Sequence, residues 1–362
     1  MSRVLFVSHT NAPGGAELTV RAYLEKTGIE DVALATFQDG GVWQSLPDRV
    51  AVHTPAPADP LRQMQWLRAT IKDSGASMVI ATTMRSALLC AVALPSRCQL
   101  VYWVHDGLGS ESAMRSGALA LTRFVTLPRV SRFITNSQWT DRTLKAWRPK
   151  ATSVVVAPQS GLELKQIDAR SPRRLGDGPV RLLYLGRISS WKAPHLAIEA
   201  LEIAERDSPG GFTLTIAGGA QFGENDYREQ FLKRLKESPV RGRINYVGHV
   251  DNPQSLFDEH DLLVHTSVVP EPFGRVVLEA FSHGVPVMTP AAGGPLDLVR
   301  TGENGELYRI GSPQGLCTAL KRASDPEMYS KESAGALQAS KGFTDEVLVK
   351  RMDEAVQRWL AA

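Results

Sequence analysis

The stretch LLVHTSVVPEPFGRVVLEAFSHGVPVMTP, residues 262–290, contains a succession of strand-like and helical runs that indicates the fold class. An apolar run, LLVHTS, predicts a strand, and the loop VVPEPFG leads from it into RVVLEAFSHG, which predicts a helix. The helix runs to Gly284, a residue type that often follows helix ends, and PVMTP then predicts a second strand. Strand, helix and strand in this order predict a βαβ unit with two parallel strands.

Outward from this unit, strand-like and helical runs alternate over the whole chain. The strands predicted in the first half cover 3–8, 31–37, 77–83, 100–105, 132–137 and 153–158. Those predicted in the second half cover 181–186, 212–218, 244–250, 262–267 and 286–290. The alternation predicts an α/β fold with two Rossmann-like, doubly wound domains, and ligands of such sheets bind at the carboxyl ends of the strands.

The length suits two domains of about 150–200 residues each, because the chain has 362 residues. We predict an N-terminal domain over 1–165, a polar linker with Pro and Gly over 166–180, and a C-terminal domain over 181–343. Residues 344–362 predict an amphipathic helix, which could pack back on the N-terminal domain.

The composition, 43% hydrophobic and 22% charged, is that of a soluble globular enzyme. The three cysteines form no CxxC pair, which favours a reducing compartment over a disulfide framework or a zinc site. The first apolar run is too short for a signal peptide, and no run approaches the roughly 20 residues of a membrane span. We therefore expect a cytoplasmic protein.

The charge is uneven along the chain. Residues 1–165 hold 18 Lys and Arg against 12 Asp and Glu, whereas residues 166–362 hold 23 against 26. The basic half suggests contact with something anionic, although ordinary surface variation explains a difference of this size equally well.

Two loops of the first half follow predicted strands and carry candidate residues. Gly14 and Gly15 let the backbone approach a ligand, and the helix behind them offers free N–H groups to an anion. A plain strand-to-helix turn is the alternative, since the dinucleotide fingerprint GxGxxG is absent. After the fourth strand, His105 and Asp106 stand where catalytic or substrate-orienting pairs often lie, or where a histidine only donates a structural hydrogen bond.

In the second half, candidate residues again follow strands. Arg187 and Lys192 supply two cations suited to a diphosphate, unless they belong to a solvated loop. Gly274 leaves N–H groups at a helix start that can bind phosphate oxygens. Glu271 precedes that start, and Glu279 lies where it can accept hydrogen bonds from paired hydroxyls such as those of a ribose. Acids near a helix start also simply complement its dipole.

Together these segments resemble glycosyltransferase family 4, the retaining nucleotide-sugar transferases of the GT-B fold. The segments that carry the resemblance are GGAE (14–17), GRISSWK (186–192), YVGHV (246–250), EPFGRVVLEA (271–280), GVPVMTPAAGGPLDLV (284–299) and TGENGEL (301–307). The pair Glu271 and Glu279, eight residues apart, is the specific element. The family has glycine where Ala193 follows Lys192, and NGVD where this chain has SGLE.

The resemblance implies roles for individual residues. The nucleotide sugar would lie in the cleft between the domains, mostly on the second one. Arg187 and Lys192 would bind the diphosphate, and the backbone of Phe273, Gly274 and Arg275 would hold phosphate oxygens. Glu279 would bind the ribose, Glu271 would bind the donor sugar, and the backbone near His249 and Val250 would contact the base. His105 and the Gly14-Gly15 loop would lie on the acceptor side, close to the transferred sugar, so that the two glycines also count among the donor-binding residues. The expected catalytic residues are Glu271, His105, Arg187 and Lys192.

The implied chemistry is retaining hexosyl or glycosyl transfer without a cofactor. The nucleoside diphosphate would leave through an oxocarbenium-like transition state that cations and N–H dipoles stabilise. The family generally needs no divalent metal, and the chain has no DxD-type metal pair. We expect a UDP-sugar in preference to a GDP-sugar, and a hydroxyl acceptor in bacterial cell-surface polysaccharide or glycolipid synthesis, or alternatively a small natural product.

Other interpretations stay open. A GT-B epimerase or phosphorylase shares the two-domain architecture, and a silent nucleotide-binding scaffold is the alternative outside enzymes. No nucleic-acid partner is expected. Residues 112–133 mix Arg115, Arg123, Arg129 and Arg132 with apolar residues, which suits peripheral contact with an anionic membrane near a lipid-linked acceptor, or a core helix with a basic solvent face.

Overall fold

A computed structural model describes residues 3–54, 59–95, 98–109, 120–220 and 223–362. The chain forms two compact units. Unit 1 comprises Met1–Gly161 together with Asp345–Ala362, and unit 2 comprises Leu162–Thr344.

Unit 1 is built on a parallel sheet. Its strands are β1 (Arg3–Ser8), β2 (Val32–Thr36), β3 (Ala51–His53), β4 (Ala76–Ala81), β5 (Gln99–Val104), β6 (Arg132–Thr135) and β7 (Ser153–Val155). They lie in the order β3-β2-β1-β4-β5-β6-β7, with parallel pairings throughout. The order reverses between β1 and β4, which is the switch point where sheets of this kind bind ligands.

Helices cover both faces of this sheet. They are α1 (Gly15–Lys26), α2 (Pro60–Ser74), α3 (Met84–Ala93), α4 (Leu127–Arg129) and α5 (Gln138–Trp147), with a 3-10 turn at Gly41–Trp43 and a π-helical segment at Thr122–Thr126. Successive residues of β1 point to opposite faces, so that Val4 and Phe6 enter one core and Leu5 and Val7 enter the other.

Unit 2 repeats the architecture with a second parallel sheet. Its strands are β8 (Val180–Leu185), β9 (Phe212–Ala217), β10 (Ile244–Gly248), β11 (Leu262–Val264), β12 (Val287–Pro290) and β13 (Gly305–Tyr308). The order is β10-β9-β8-β11-β12-β13, which places the switch point between β8 and β11. The helices are α6 (Leu164–Asp168), α7 (His195–Asp207), α8 (Asn225–Glu237), α9 (Gln254–Glu259), α10 (Arg275–Ser282), α11 (Pro313–Ala323) and α12 (Pro326–Ser340), with 3-10 turns at Arg241–Arg243, Gly294–Asp297 and Lys341–Phe343.

The last helix, α13 (Asp345–Leu360), packs within unit 1. The Tyr23 hydroxyl donates to Asp353 Oδ1 at 2.6 Å, and the Asp345 carboxylate accepts from the backbone N–H groups of Ser160 and Gly161 at 3.1 Å. These bonds fix the C-terminal helix to the sheet layer formed by the first 161 residues.

The predicted α/β architecture is confirmed, and every predicted strand has a counterpart. Two short strands escaped prediction, β3 because its AVH segment is largely exposed and β13 because GELY carries a glycine and a charged residue. Part of the stretch predicted as a linker, 166–180, packs on unit 2, since Arg173 donates to the carbonyls of Phe257 and His260 at 2.8 and 2.6 Å. Across the described ranges, no helix has both the length and the apolar character required to span a bilayer.

Candidate active site

The switch point of unit 2 brings two loops together. One follows β8 and carries Trp191 and Lys192, and the other follows β11. The Thr266 hydroxyl donates to the Lys192 carbonyl at 2.8 Å, and the Val268 N–H donates to the Trp191 carbonyl at the same distance. Backbone hydrogen bonding therefore fixes the loop that carries the lysine against the loop that leads to Glu271.

Lys192 and Glu271, which the sequence suggested separately, form an ion pair. Lys192 Nζ lies 2.5 Å from Glu271 Oε2, and the two side chains are only 12% and 15% exposed. Removing one member of such a pair leaves a poorly solvated charge and typically costs about 3–5 kcal/mol. The pair therefore concentrates two opposite charges at the carboxyl edge of the sheet.

A histidine completes this cluster. His265 Nε2 contacts the same Glu271 oxygen, and His265 Nδ1 lies 3.1 Å from the Thr289 hydroxyl on β12. Burial alone would raise the pKa of Glu271, but the charges and hydrogen bonds of Lys192 and His265 outweigh it and hold that pKa well below its usual range. Glu271 is therefore a carboxylate throughout the physiological pH range.

Arg187, the second predicted cation, lies on the same loop. Its guanidinium is 5.5 Å from the centre of the Trp191 ring, and Lys192 Nζ is 4.5 Å from it. A cation above an aromatic face is attracted by the ring quadrupole. Trp191 thus holds both cations beside the switch point.

Gly274 is the N-cap of helix α10 and has φ +98° and ψ 60°. This left-handed conformation favours glycine, and a Cβ there would lie 3.2 Å from Pro295. The preceding Phe273 is buried, and it anchors the helix start. The first N–H groups of α10, from Arg275 onward, are the donors that the sequence predicted for phosphate oxygens.

The second glycine loop, AAGGPLD, supports the Pro-Phe-Gly loop. The Gly294 N–H donates to the Glu271 carbonyl at 2.7 Å, and a Cβ at Gly294 would lie 2.3 Å from the Pro272 carbonyl oxygen. Two backbones therefore meet without side chains between them, and this contact fixes the position of Glu271.

Glu279 lies one helical turn beyond Arg275, and its Oε1 is 3.8 Å from Arg275 Nη2. Its side chain is 17% exposed, and burial raises the pKa of Glu279 despite the opposing charge of Arg275. Hydrogen bonds from hydroxyl groups would stabilise this carboxylate.

His249 and Val250 lie just after β10, at the edge of the sheet and two strands away from β8. His249 is exposed, with its Nε2 at 3.3 Å from Asp251 Oδ1, and Val250 is partly buried. The structure thus places these two residues at the same carboxyl edge, away from the charged cluster.

In unit 1, Gly14 caps α1 and Gly15 is its first residue. A Cβ at Gly14 would lie 2.4 Å from a carboxylate oxygen of Glu17, whereas one at Gly15 would contact nothing within 4 Å. Glu17 is buried, and burial raises its pKa. The helix start at Gly14 therefore faces a carboxyl group, which opposes anion binding there.

His105 follows β5, and its ring stacks on Trp103 with centroids 5.0 Å apart. Among the residues that the structure describes, no group hydrogen-bonds to its buried Nε2. Burial lowers the pKa of His105 to about 3, so that the imidazole is neutral at physiological pH.

Sequence reasoning missed His265, Trp191 and Thr289 as parts of the cluster. His265 directly follows a buried strand in LLVHTS, and its position beside the β8–β11 switch point was the signal available. Trp191 carried no such signal, because a tryptophan in a loop is more often a packing residue.

Residues 166–335 match the family described as Glycosyl transferases group 1. The predicted resemblance to this family is confirmed over these residues, which make up just under half of the chain. It is similar to the glycogen synthase of Mycobacterium tuberculosis (strain CDC 1551 / Oshkosh), with 29% identity over 238 residues, 63% of this chain and 55% of that protein. It is also 30% identical over 146 residues to the lipopolysaccharide core biosynthesis glycosyltransferase LpsE of Rhizobium meliloti (strain 1021), covering 40% of this chain and 39% of LpsE.

These alignments span about half the length of the curated relatives. Similarity to solved structures extends further. A crystal structure of Anabaena Alr3699/HepE in complex with UDP aligns with a TM-score of 0.84 and 25% identity, over 98% of this chain and 100% of that one. The same Anabaena protein in complex with UDP-glucose aligns with a TM-score of 0.82 and 24% identity, over 99% and 100% of the two chains. The predicted GT-B fold is confirmed by this similarity.

Proposed function

We propose that this protein is a retaining glycosyltransferase that moves a sugar from a nucleoside-diphosphate donor to a hydroxyl acceptor. The observation that carries the proposal is the buried pair of Lys192 and Glu271 at the switch point of unit 2. The family match over residues 166–335 supports the reaction class, and the UDP and UDP-glucose bound by HepE support a UDP-sugar over a GDP-sugar.

Each part of the donor has a proposed partner in unit 2. Arg187 and Lys192 bind the diphosphate, and the N–H groups at the start of α10, around Phe273, Gly274 and Arg275, bind its oxygens. Glu271 accepts hydrogen bonds from the donor sugar, and Glu279 accepts hydrogen bonds from the ribose hydroxyls. The backbone at His249 and Val250 contacts the base.

The reaction breaks the bond between the anomeric carbon and the diphosphate oxygen. The acceptor oxygen forms its bond on the same face, which retains the configuration, and its proton passes to a phosphate oxygen of the leaving group. The electron pair of the broken bond stays on the diphosphate, where Lys192 and Arg187 stabilise the developing charge. These two cations stabilise the leaving group without the help of a metal ion.

The acceptor side is assigned to unit 1, with the loop at Gly14 and Gly15 and with His105. The neutral imidazole of His105 and the protonation-prone carboxyl of Glu17 suit an uncharged hydroxyl better than a phosphate. We propose an acceptor in cell-surface polysaccharide or glycolipid synthesis. A small natural product satisfies the same chemistry and is the alternative.

A lipid-linked acceptor has one specific observation in its favour. Phe124 is 72% exposed and Leu121 is 48% exposed, and the Arg123 guanidinium lies 5.7 Å from the Phe124 ring. Exposed apolar side chains beside a cation suit the surface of an anionic membrane. Arg115 of the same predicted segment lies outside the described residues. Flotation with anionic vesicles tests this contact, and absence of binding at low salt would rule it out.

The reaction itself is tested with a panel of UDP- and GDP-sugars and hydroxyl acceptors in EDTA, with NMR of the product at the anomeric centre. We expect transfer from a UDP-sugar with the anomeric configuration of the donor kept. Inversion, or transfer that requires a divalent metal, would contradict the proposal.

A further inference from the structure

The Glu271 carboxylate is held by donors on different elements. Within the described part of the chain, its hydrogen bonds converge on one oxygen, Oε2, which contacts Lys192, His265 and, at 3.4 Å, the Ser267 hydroxyl. The other oxygen, Oε1, is thereby left for a further donor. A carboxylate that is fixed through one oxygen can accept hydrogen bonds from hydroxyl groups at its other oxygen.

Two of these donors differ in rigidity. Lys192 reaches the carboxylate with a flexible four-carbon stem. His265 has only two side-chain torsions, is 5% exposed, and is fixed on its far side by Thr289 at 3.1 Å. Its own backbone is fixed as well, because its carbonyl accepts from the Tyr308 hydroxyl at 2.7 Å. The imidazole is therefore part of the rigid scaffold of the sheet.

The hydrogen-bond pattern assigns the ring proton. Because Glu271 Oε2 is an acceptor, Nε2 must carry a proton, and Nδ1 can then accept from the Thr289 hydroxyl. This arrangement works with a neutral imidazole. The contact to Glu271 does not require His265 to be charged.

Donor binding would draw Lys192 away from Glu271. The same ammonium cannot give its best geometry to a carboxylate and to a diphosphate, and an unpaired buried carboxylate is costly. His265 is the donor that can keep Glu271 in place when the lysine turns to phosphate.

We propose that His265 is a positioning residue that fixes the Glu271 carboxylate for the donor sugar while Lys192 binds the diphosphate. This inference rests on the proposed function. It predicts that His265 affects the contribution of the sugar to donor binding and leaves the contribution of the nucleotide unchanged. The charged groups that face the imidazole are Glu271 and Lys192, and its polar neighbours are Ser267 and Thr289.

The test compares calorimetric dissociation constants of UDP and of UDP-sugars. UDP-glucose, UDP-galactose and UDP-N-acetylglucosamine are titrated, and the sugar gain is defined as the Kd of UDP divided by the Kd of the tightest UDP-sugar. His265→Phe removes the donor, and His265→Gln keeps an amide N–H within reach of Glu271. His260→Gln is the matched control, because His260 is also buried in unit 2 and, among the described residues, its ring bonds only to the Leu256 carbonyl.

We expect His265→Phe to lower the sugar gain about ten- to a hundredfold, since a hydrogen bond to a charged group is lost. His265→Gln should recover most of that gain, and UDP alone should bind all variants within about twofold of the parent. If His265→Phe fails to fold, Thr289→Val loosens the imidazole from its far side and should lower the gain by a smaller factor.

An unchanged sugar gain in His265→Phe and Thr289→Val, or an equal loss of UDP affinity, would overturn the inference. A parent protein that binds UDP but shows no sugar gain would also overturn the inference, while the proposal of nucleotide binding would stand. Failure of the parent to bind any nucleotide would instead overturn the proposed function, and the inference with it.

Discussion

Each unit has a parallel sheet whose strand order reverses, and each places a histidine just after a central strand, but the surroundings of the two histidines differ. His265 of unit 2 contacts the Glu271 carboxylate beside Lys192. His105 of unit 1 stacks on Trp103 and stays neutral. The same architecture thus supplies one unit with fixed, paired charges after a central strand and the other with a neutral imidazole.

The difference has a chemical meaning. Fixed charges in a poorly solvated site stabilise charge that develops during a reaction, whereas a neutral imidazole is suited to hydrogen bonds with hydroxyl groups. We therefore assign the departing diphosphate to unit 2 and the acceptor to unit 1. Substitutions in the two units test this division.

The charged edge should be indispensable for turnover. Lys192→Ala and Glu271→Ala should each lower the transfer rate about a hundredfold or more, because each removes transition-state stabilisation and leaves its partner unpaired. Release of UDP from the donor measures this. The matched controls are Lys233→Ala and Glu229→Ala, two exposed residues of α8 that should behave like the parent. Parent-like turnover of both site variants would contradict the assignment.

The stabilities of the two units should depend on pH in opposite directions. Burial lowers the pKa of His105 to about 3, so the unfolded chain binds the extra proton between about pH 6.5 and 3, and unit 1 should weaken as pH falls through that range. In unit 2, burial and the neighbouring Glu306 raise the pKa of Glu332 to about 8, against the weaker opposing charges of Arg322 and Lys331. The folded state then binds the extra proton between about pH 4.5 and 8, and unit 2 should weaken as pH rises through that range.

Thermal unfolding of variants at two pH values checks the pH dependence predicted for unit 2. Glu332→Gln should raise the free energy of unfolding by about 1–3 kcal/mol at pH 8.5 and much less at pH 5, because it removes a buried charge only where that charge exists. Glu327→Gln, an exposed acid on the same helix α12, is the control. A gain that does not depend on pH would contradict the raised pKa of Glu332.

Nucleotide affinity should distinguish two buried carboxyl groups with raised pKa values. Glu279→Ala in unit 2 should weaken UDP binding about tenfold and lower turnover at saturating donor less, because it removes hydrogen bonds to the ribose. Glu17→Ala in unit 1 should leave UDP affinity unchanged. Equal effects of the two substitutions on the Kd of UDP would contradict the assignment of the nucleotide to unit 2 and the acceptor to unit 1.

The smallest effect concerns Ala193, beside Lys192. It is buried and has φ +47°, a conformation that costs an L-residue about 1–2 kcal/mol. Ala193→Gly removes that strain but adds chain entropy to the unfolded state, so we expect a gain of up to about 1 kcal/mol in chemical denaturation. The control Ala200→Gly, in the interior of α7, should lose about 1 kcal/mol.

Local sequence signals predicted most of the fold because each is short-range. Strand-like runs marked all the central strands, and Gly274 and Gly284 marked the two ends of α10. Ala193 stood where the family has glycine, and its positive φ gives the physical reason for that preference. Short strands such as β13 were missed because their side chains lack a β-type pattern.

The sequence singled out candidate residues one by one, but it did not predict the contacts between them. Lys192 and Glu271 are 79 positions apart, and nothing local to either shows that they form an ion pair. The role of His265 depends on Glu271 and Thr289, which belong to other loops and strands. Contacts of this kind follow from the strand order, which periodicity alone does not give.

We propose that unit 2 binds a nucleoside diphosphate through its charged cluster without a metal ion. The most direct test is calorimetric titration of UDP, GDP and ADP into the parent and into Lys192→Ala, all in EDTA. We predict binding of the parent with a preference for UDP, and at least about tenfold weaker binding of Lys192→Ala. Binding of none of the three nucleotides, with EDTA or with magnesium, would contradict the account and favour a protein that does not use nucleotide sugars.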